Sequence, residues 1–185
     1  MLRIVQAPNA VLSEHAKPVG KIDKDLLTLI KNMEATLVAA KEPEGVGLAA
    51  PQIGKSLQLF IVKEEKNAPL FVAINPKLHI PKSAKLIPKQ KEIDSEEGVK
   101  LEGCLSLKDV WGVVRRYDTV QLSYLDEHGK KQTKTFDGFL ATILQHEVDH
   151  LHGTLFPKHV LAQKNKLYKS KKNEKGETVF EEIAV

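Results

Sequence analysis

Two histidines four residues apart are the clearest chemical feature of the sequence. They belong to the segment His146–His150, which reads HEVDH. On an α-helix, residues four apart lie about 40° apart around the axis, so both imidazoles project from the same side. The carboxylate of Glu147 flanks that direction. The spacing predicts that His146 and His150 bind one metal ion, whereas the alternative is an amphipathic helix whose polar face carries two histidines by chance.

The chemistry expected of such a site is hydrolysis. A metal lowers the pKa of a bound water toward neutrality, and Glu147 is placed to accept its proton. The candidate third ligand is Cys104, the only cysteine, in the segment Glu102–Ser106, which reads EGCLS. Alone, a cysteine is more often a small buried apolar residue, but the adjacent glycine and turn favour a thiolate ligand. A thiolate with two imidazoles suits Fe(II), Zn(II) or Ni(II).

A glycine-containing stretch, Gly45–Gln52, reads GVGLAAPQ. Its glycines permit a substrate to approach the backbone closely, and the Gln52 side chain offers an amide donor to an oxyanion. A phosphate-binding loop is excluded, because the stretch lacks the Lys-Ser/Thr pair and the glycine spacing of that motif. The remaining alternative is a plain turn after a helix.

Two amphipathic helices must position these residues. The first begins after its cap, Asp23, and runs to about Ala40, since apolar residues recur there at three-to-four spacing. The second is capped by Asp137, stops at Gly153 and carries HEVDH. The elements expected after it are a helix over 159–168, a lysine-rich segment, a turn at Lys175–Gly176 and a short terminal strand within 178–185.

Short apolar runs between the two helices indicate β-strands. In one of them Val120, Leu122 and Tyr124 alternate with polar residues, as in a half-buried strand, and a turn signal follows at Asp126–Gly129. This order favours an α+β fold in which antiparallel sheets pack around the central helix that carries HEVDH. The strands are expected over 57–63, 70–74, 113–124 and 131–136, and the charged segment 81–97 as a long surface excursion.

The composition limits where the protein can be located and which partners it can have. A single cysteine permits no intramolecular disulfide, and no signal peptide or membrane-length apolar run is evident, so a cytoplasmic protein without a membrane partner is expected. A net charge of +4 is too mild to indicate DNA binding. We expect one catalytic domain over 1–163 and a lysine-rich tail over 164–185. The tail is either a solvated helix end or a patch that meets RNA.

Taken together and in this order, the three motifs resemble those of the peptide deformylase family, whose stretches are Gly-x-Gly-Leu-Ala-Ala-Pro-Gln, Glu-Gly-Cys-Leu-Ser and His-Glu-x-x-His-Leu. The resemblance extends over roughly residues 2–157 and includes Ala16–Val19 and Ile74–Pro76. It implies removal of formate from the N-formyl-methionine of new polypeptides.

The resemblance also implies residue roles. Cys104, His146 and His150 would bind the metal, usually Fe(II) in cells, and Glu147 would be the general base and then the general acid. The Gln52 side chain and the Leu105 backbone N–H would stabilise the oxyanion. The family's basic residue twelve positions after the cysteine falls on Arg116. An Arg116–Asp149 ion pair is therefore expected to orient the helix.

An apolar slot beside the metal is expected to accept the methionine side chain. Its candidate residues are Val46, Trp111, Thr142 and Ile143, and Gly47 and Gly103 are further candidate substrate-binding residues. Two other functions are alternatives to a deformylase. A zinc endopeptidase leaves Cys104 and Gln52 without a role, and an inactive RNA- or ribosome-binding relative leaves the complete ligand set and Glu147 without one. The lysine run nevertheless permits a weak ribosome contact.

Overall fold

The computed structural model describes residues 1–41, 44–65, 67–88 and 100–184. Its helices are two short 3-10 helices, Ala10–Ser13 and Ala50–Ile53, and the α-helices α1 (Lys24–Ala39), α2 (Gly138–Leu151) and α3 (Phe156–Ala162). Its strands are β1 (Gly47–Ala49), β2 (Leu59–Val62), β3 (Phe71–His79), β4 (Leu86–Ile87), β5 (Glu102–Cys104), β6 (Leu107–Gly112), β7 (Arg116–Tyr117), β8 (Thr119–Leu125), β9 (Lys131–Asp137), β10 (Leu167–Lys172) and β11 (Thr178–Ile183).

The named strands pair antiparallel in three sheets. The largest has the order β1-β2-β3-β8-β9, a second has the order β11-β10-β6-β5, and β4 pairs with β7. Helix α2 packs against the large sheet, and its side chains His146 and His150 contact β5 of the second one. The predicted α+β class, with a central helix that carries HEVDH, is confirmed.

Strand β2 shows why the large sheet is buried on both faces. Leu59 and Ile61 point toward α1 and join its apolar residues in one core. Phe60 and Val62 point the other way and join Leu144 and the other apolar residues of α2 in a second core. Successive side chains of a strand alternate between faces, so this apolar run of four covers both. The α2 helix is thereby fixed by its apolar side, while His146 and His150 contact β5 of the second sheet.

The first helix is confirmed, including its cap. The Asp23 carboxylate accepts a hydrogen bond from the Leu26 N–H at 3.0 Å. The second helix also begins where it was predicted, but the Asp137 side chain makes no capping hydrogen bond. The turn at Asp126–Gly129 and the strand after it are confirmed as well.

The strand predicted over 113–124 is wrong in its first half. Strand β6 ends at Gly112 and β8 begins at Thr119, with only the two-residue β7 between them. The reason is topological: β6 pairs with β5 and β10 in one sheet, whereas β8 pairs with β3 and β9 in another. The chain must leave one sheet to enter the other, which an apolar run does not reveal.

The helix predicted over 159–168 is present, but its predicted bounds are wrong. Helix α3 ends at Ala162, and Lys164 has a positive φ of 59° that breaks the helical path. The Asn165 side chain then donates to the Val113 carbonyl at 3.0 Å, which ties the chain to the second sheet.

The lysine-rich segment is a β-hairpin, not a helix end or a loose tail. Its strands β10 and β11 meet across the predicted turn at Gly176. Strand β10 is hydrogen-bonded to β6, and Leu167 is buried with Cys104, Phe156 and Val160. Of the predicted excursion over 81–97, residues 89–97 lie outside the described residues. Among those described, no helix is long and apolar enough to cross a membrane.

Candidate active site

Three potential metal-binding atoms converge between α2 and the second sheet. The Cys104 Sγ lies 3.3 Å from the His150 Nε2, which lies 3.2 Å from the His146 Nε2. The three atoms all lie within 4.8 Å of one another. Tetrahedral coordination, with metal–N of about 2.1 Å and metal–S of about 2.3 Å, separates neighbouring ligand atoms by about 3.3–3.6 Å. The donor types and their spacing therefore fit one metal ion.

Each of these side chains is fixed by the element that carries it. Cys104 ends β5, at a point where the pairing with β6 shifts register. His146 and His150 lie one turn apart on α2, and the ring of Phe156 stacks on that of His146 with centroids 6.3 Å apart. The predicted ligands are thus brought together by a strand end and a helix whose other side is locked in the core.

The site favours a thiolate at Cys104. Burial alone would raise the pKa of this thiol, but His150 and His146 outweigh burial and lower the pKa to about 5. Two donors, the Ser106 N–H and the Gln52 Nε2, also approach the sulfur, each at 3.5 Å. A thiolate is the form of cysteine that binds metals.

Glu102 is the main polar residue of the site that the sequence did not single out. Its carboxylate accepts two hydrogen bonds from Arg116, at 2.7 and 3.1 Å, and contacts the His146 Nδ1 at 2.6 Å. Although burial opposes it, the charges of His146 and Arg116 lower the pKa of Glu102 to about 2. An ionised Glu102 holds a proton on the Nδ1 of His146 and leaves the Nε2 free for a metal.

The expected ion pair between Arg116 and Asp149 is present, with Nη1 and Oδ2 2.6 Å apart. The same Asp149 oxygen lies 2.9 Å from the His159 Nε2. Arg116 is buried and joins two carboxylates, one in β5 and one on α2. It therefore couples the strand that ends in Cys104 to the helix that carries the histidines. The alternation of side chains along a strand could have indicated Glu102, because it lies two residues before Cys104 and residues two apart in a strand share a face.

Glu147 lies in a dry setting next to the ligand cluster. Only 3% of it is exposed, and its Oε2 has no hydrogen-bond partner among the described residues. Burial raises its pKa to about 7, although His146 and His150 oppose that rise. Gly47 provides the space for this carboxylate, since a Cβ at Gly47 would lie 2.7 Å from the Glu147 Cδ. That carboxyl group can therefore take up or release a proton near neutral pH.

A cavity of about 300 Å³ opens beside these residues. It contains Cys104, His146, Glu147 and the two candidate oxyanion donors, Gln52 and Leu105. All six candidate substrate-binding residues also line it: Val46, Gly47, Gly103, Trp111, Thr142 and Ile143. The sequence did not single out Glu44, Leu101 and Phe139, which line the cavity too.

The amide of Gln52 is oriented by the backbone. Its Oε1 accepts a hydrogen bond from the Ala49 N–H at 2.8 Å, which directs the Nε2 toward Cys104. The stretch Gly45–Gln52 is therefore more than a plain turn, because it forms β1 and a 3-10 helix that present this donor. Leu105 lines the cavity, and its carbonyl accepts a hydrogen bond from Gln6 at 2.9 Å. The role of its N–H stays a prediction.

Comparison with known proteins identifies the family. The sequence model of polypeptide deformylase matches residues 1–166. The chain belongs to the polypeptide deformylase family. Peptide deformylase of Symbiobacterium thermophilum is 40% identical over 84% of this chain and 65% of that protein, slightly under two thirds of its length. Peptide deformylase of Desulfotalea psychrophila is 34% identical over 92% of this chain and 94% of that protein.

Solved peptide deformylases share the fold. That of Synechococcus elongatus, in complex with actinonin, is 36% identical with a TM-score of 0.72 and covers 85% of this chain and 78% of its own. That of Thermotoga maritima is 30% identical with a TM-score of 0.71 and covers 86% of this chain and 97% of its own. Deformylases are metal-dependent hydrolases that remove the N-formyl group of formyl-methionyl nascent peptides, and this chain is such a hydrolase. An endopeptidase and an inactive relative are not favoured.

Proposed function

We propose that Cys104, His146 and His150 bind the single catalytic metal of this deformylase and that Glu147 transfers the protons. The observation that carries the proposal is the convergence of three metal-binding atoms within 4.8 Å, beside a buried carboxylate and a cavity. A divalent ion held there supplies an electrophile and lowers the pKa of a ligated water. Residues of this chain transfer the protons, stabilise the oxyanion and position the ligands.

Glu147 has the position and the pKa of a proton carrier. As the formyl carbon is attacked, its carboxylate accepts the proton of the attacking water. It then donates that proton to the amine nitrogen, so that the C–N bond breaks and formate leaves. A pKa of about 7 allows both steps near neutral pH, because neither form of the carboxyl group is strongly favoured.

Gln52 and Leu105 stabilise the charge that develops on the formyl oxygen. The Gln52 Nε2 is already directed into the site by its bond to the Ala49 backbone. A donor that is oriented beforehand stabilises an oxyanion without reorganising during the reaction. The Leu105 N–H is the second donor in this proposal.

Arg116 and Asp149 act on the chemistry by positioning. Through Glu102 and the Nδ1 of His146, Arg116 fixes the imidazole that faces the metal. Through Asp149, it holds the segment of α2 between the two histidines. Such outer partners usually contribute about 10- to 100-fold to metal affinity or activity.

The methionine side chain of the substrate occupies the apolar part of the cavity. Val46, Thr142 and Ile143 lie close to Glu147 and His146 in its lining. A flexible, unbranched apolar side chain such as methionine fits an irregular slot of this kind. Gly47 and Gly103, the two other substrate-binding candidates, each leave room for a side chain of the protein, Glu147 and Trp111 respectively.

Fe(II) is the metal that we propose for the enzyme in cells, and Zn(II) and Ni(II) suit the same donors. The test is formate release from formyl-Met-Ala-Ser by enzyme purified without oxygen, with metal content measured on the same sample. We expect about one equivalent of metal, with iron supporting the fastest turnover. Rapid turnover in a preparation without transition metals would contradict the metal assignment.

A weak ribosome contact through the lysine run is a second proposal, and the hairpin bears on it. Six lysines between 164 and 184 are accompanied by four glutamates, which leaves a net charge of about +2. Lys166 pairs with Glu182, and Lys171 pairs with Glu181. Attraction to RNA phosphates should thus be weak and fall steeply with salt. If replacing Lys164, Lys169 and Lys172 by glutamine leaves co-sedimentation with ribosomes at low salt unchanged, this proposal is wrong.

A further inference from the structure

The hairpin formed by β10 and β11 lies directly against the wall of the cavity. Strand β10 pairs with β6 so that Tyr168 is opposite Trp111, and on the far side of β6 Trp111 is opposite Gly103 of β5. The match to the family ends at residue 166, one residue before β10 begins. The hairpin therefore lies beyond the residues matched by the family model and beside a residue that lines the cavity.

Three contacts hold the Trp111 indole between the hairpin and the cavity. Its Nε1–H donates to the Ser170 Oγ at 3.0 Å, and Phe180 meets the ring edge-on, with centroids 5.8 Å apart. At the other end the six-membered ring lies over Gly103, where a Cβ would come within 2.7 Å of the ring. One end of the indole is therefore tied to the hairpin, while the ring forms part of the cavity lining.

The outer part of this cavity is aromatic and partly open to solvent. Phe139 lines it from the start of α2 and is 52% exposed, and Phe180, behind Trp111, is 45% exposed. The metal-binding and proton-transfer residues lie at the inner end, where burial is nearly complete. Trp111 lines the same cavity as Glu147, so a peptide with its formyl group at Glu147 can extend outward along the indole. Trp111 and Phe139 therefore offer apolar surface to that part of the peptide.

We propose that the hairpin is part of the substrate site, because Ser170 and Phe180 hold Trp111 as a rigid apolar wall for the residues that follow formyl-methionine. The inference rests on the proposed function and extends it to the peptide beyond its first residue. Peptides with apolar or aromatic side chains at those positions gain contact with the wall. Ser170 and Phe180 are positioning residues, since they act through Trp111 and do not line the cavity themselves.

The test uses the full-length, metal-loaded enzyme and the double variant Ser170→Ala/Phe180→Ala. The two substrates are formyl-Met-Ala-Phe and the one-residue formyl-Met-amide. For the tripeptide we expect KM to rise about three- to tenfold with kcat unchanged, the scale of a lost hydrogen bond and an aromatic contact. Kinetics with formyl-Met-amide should not change. Val179→Ala is the matched control, because Val179 faces the opposite side of the hairpin from Phe180.

A second readout follows Trp111 without turnover. Trp111 is the only tryptophan, so acrylamide quenching of its fluorescence reports on the wall alone. Quenching should increase in Ser170→Ala and return to the wild-type level in Ser170→Thr, which keeps the hydroxyl group. Binding of the product Met-Ala-Phe, followed by the same fluorescence, should weaken in parallel.

Two results would overturn this inference. One is increased quenching with an unchanged KM for the tripeptide. The other is an equal loss with both substrates, which indicates damage to the fold or the chemistry. A wild-type enzyme that releases no formate from either substrate contradicts the proposed function instead, while product binding still tests the wall.

Discussion

The inner and outer regions of the active site differ in how deeply their ion pairs are buried. In the inner region, Arg116 and Glu102 form a buried ion pair with only 6% and 12% of their side chains exposed. In the outer region, the ion pairs lie within the hairpin segment itself, such as Lys166–Glu182, with 62% and 51% of the side chains exposed. Breaking a buried pair costs about 3–5 kcal/mol, whereas an exposed pair contributes about 0–1 kcal/mol. The chemistry therefore rests on a rigid network, and peptide selection rests on contacts that tolerate change.

The largest effect is expected from removing a ligand in the inner region. Cys104→Ala should lose the metal and the activity together, because two imidazoles alone bind a divalent ion weakly. Cys104→Asp should retain some metal, mainly zinc, with low activity, because an oxygen donor replaces the thiolate. Metal analysis and formate release on the same preparations check both expectations. A fully active Cys104→Ala enzyme would refute the ligand assignment.

The next largest effect should come from the proton carrier. Glu147→Ala should reduce kcat by about 10²- to 10⁴-fold, the usual contribution of a positioned acid–base group. Glu147→Gln, which keeps the shape but cannot carry the proton, should be impaired to a similar degree. Steady-state kinetics with formyl-Met-Ala-Ser decide the point. A glutamine variant with near wild-type kcat would show that Glu147 fills space and transfers no proton.

A smaller effect is expected at Arg116, which holds the inner region from outside. Arg116→Ala should reduce activity or metal retention by about 10- to 100-fold, because Glu102 and Asp149 lose their shared partner. Arg115→Ala is the neighbouring control, since the Arg115 side chain makes no ion pair with the described residues. Metal loss rates during dialysis against a chelator measure the effect. Equal rates in the two variants would remove the positioning role.

The smallest effect should come from the part of the cavity that accepts the methionine side chain. Ile143→Trp places a larger side chain in the cavity and should raise KM for formyl-Met peptides several-fold with little change in kcat. Initial rates over a range of substrate concentrations measure this split. Unchanged kinetics would place the methionine side chain elsewhere in the cavity.

The sequence predicted the ligand cluster better than the architecture around it. Helical spacing alone brings His146 and His150 to one side of α2 and indicated the cavity residues one turn before His146. The sequence motifs indicated Cys104 and Gln52. Glu102 was missed because its role depends on Arg116 and His146, which only the fold brings beside it.

In the C-terminal part, the turn at Lys175–Gly176 and the terminal strand were predicted correctly, but strand β10 was missed for a related reason. A run such as Lys164–Lys172 has no period that distinguishes a solvated tail from a strand. Its strand state is set by pairing with β6, a contact between residues more than fifty positions apart. The strand over 113–124 failed likewise, since local apolar character does not show where a chain passes from one sheet to another.

The central claim is that metal binding and proton transfer belong to different residues of the inner region. Metal content and formate release, measured together on the wild-type protein, Cys104→Ala and Glu147→Ala, test it most directly. We expect Glu147→Ala to hold about one equivalent of metal with turnover reduced at least about 100-fold, and Cys104→Ala to lose both. Loss of metal in Glu147→Ala, or full metal and activity in Cys104→Ala, would contradict the account.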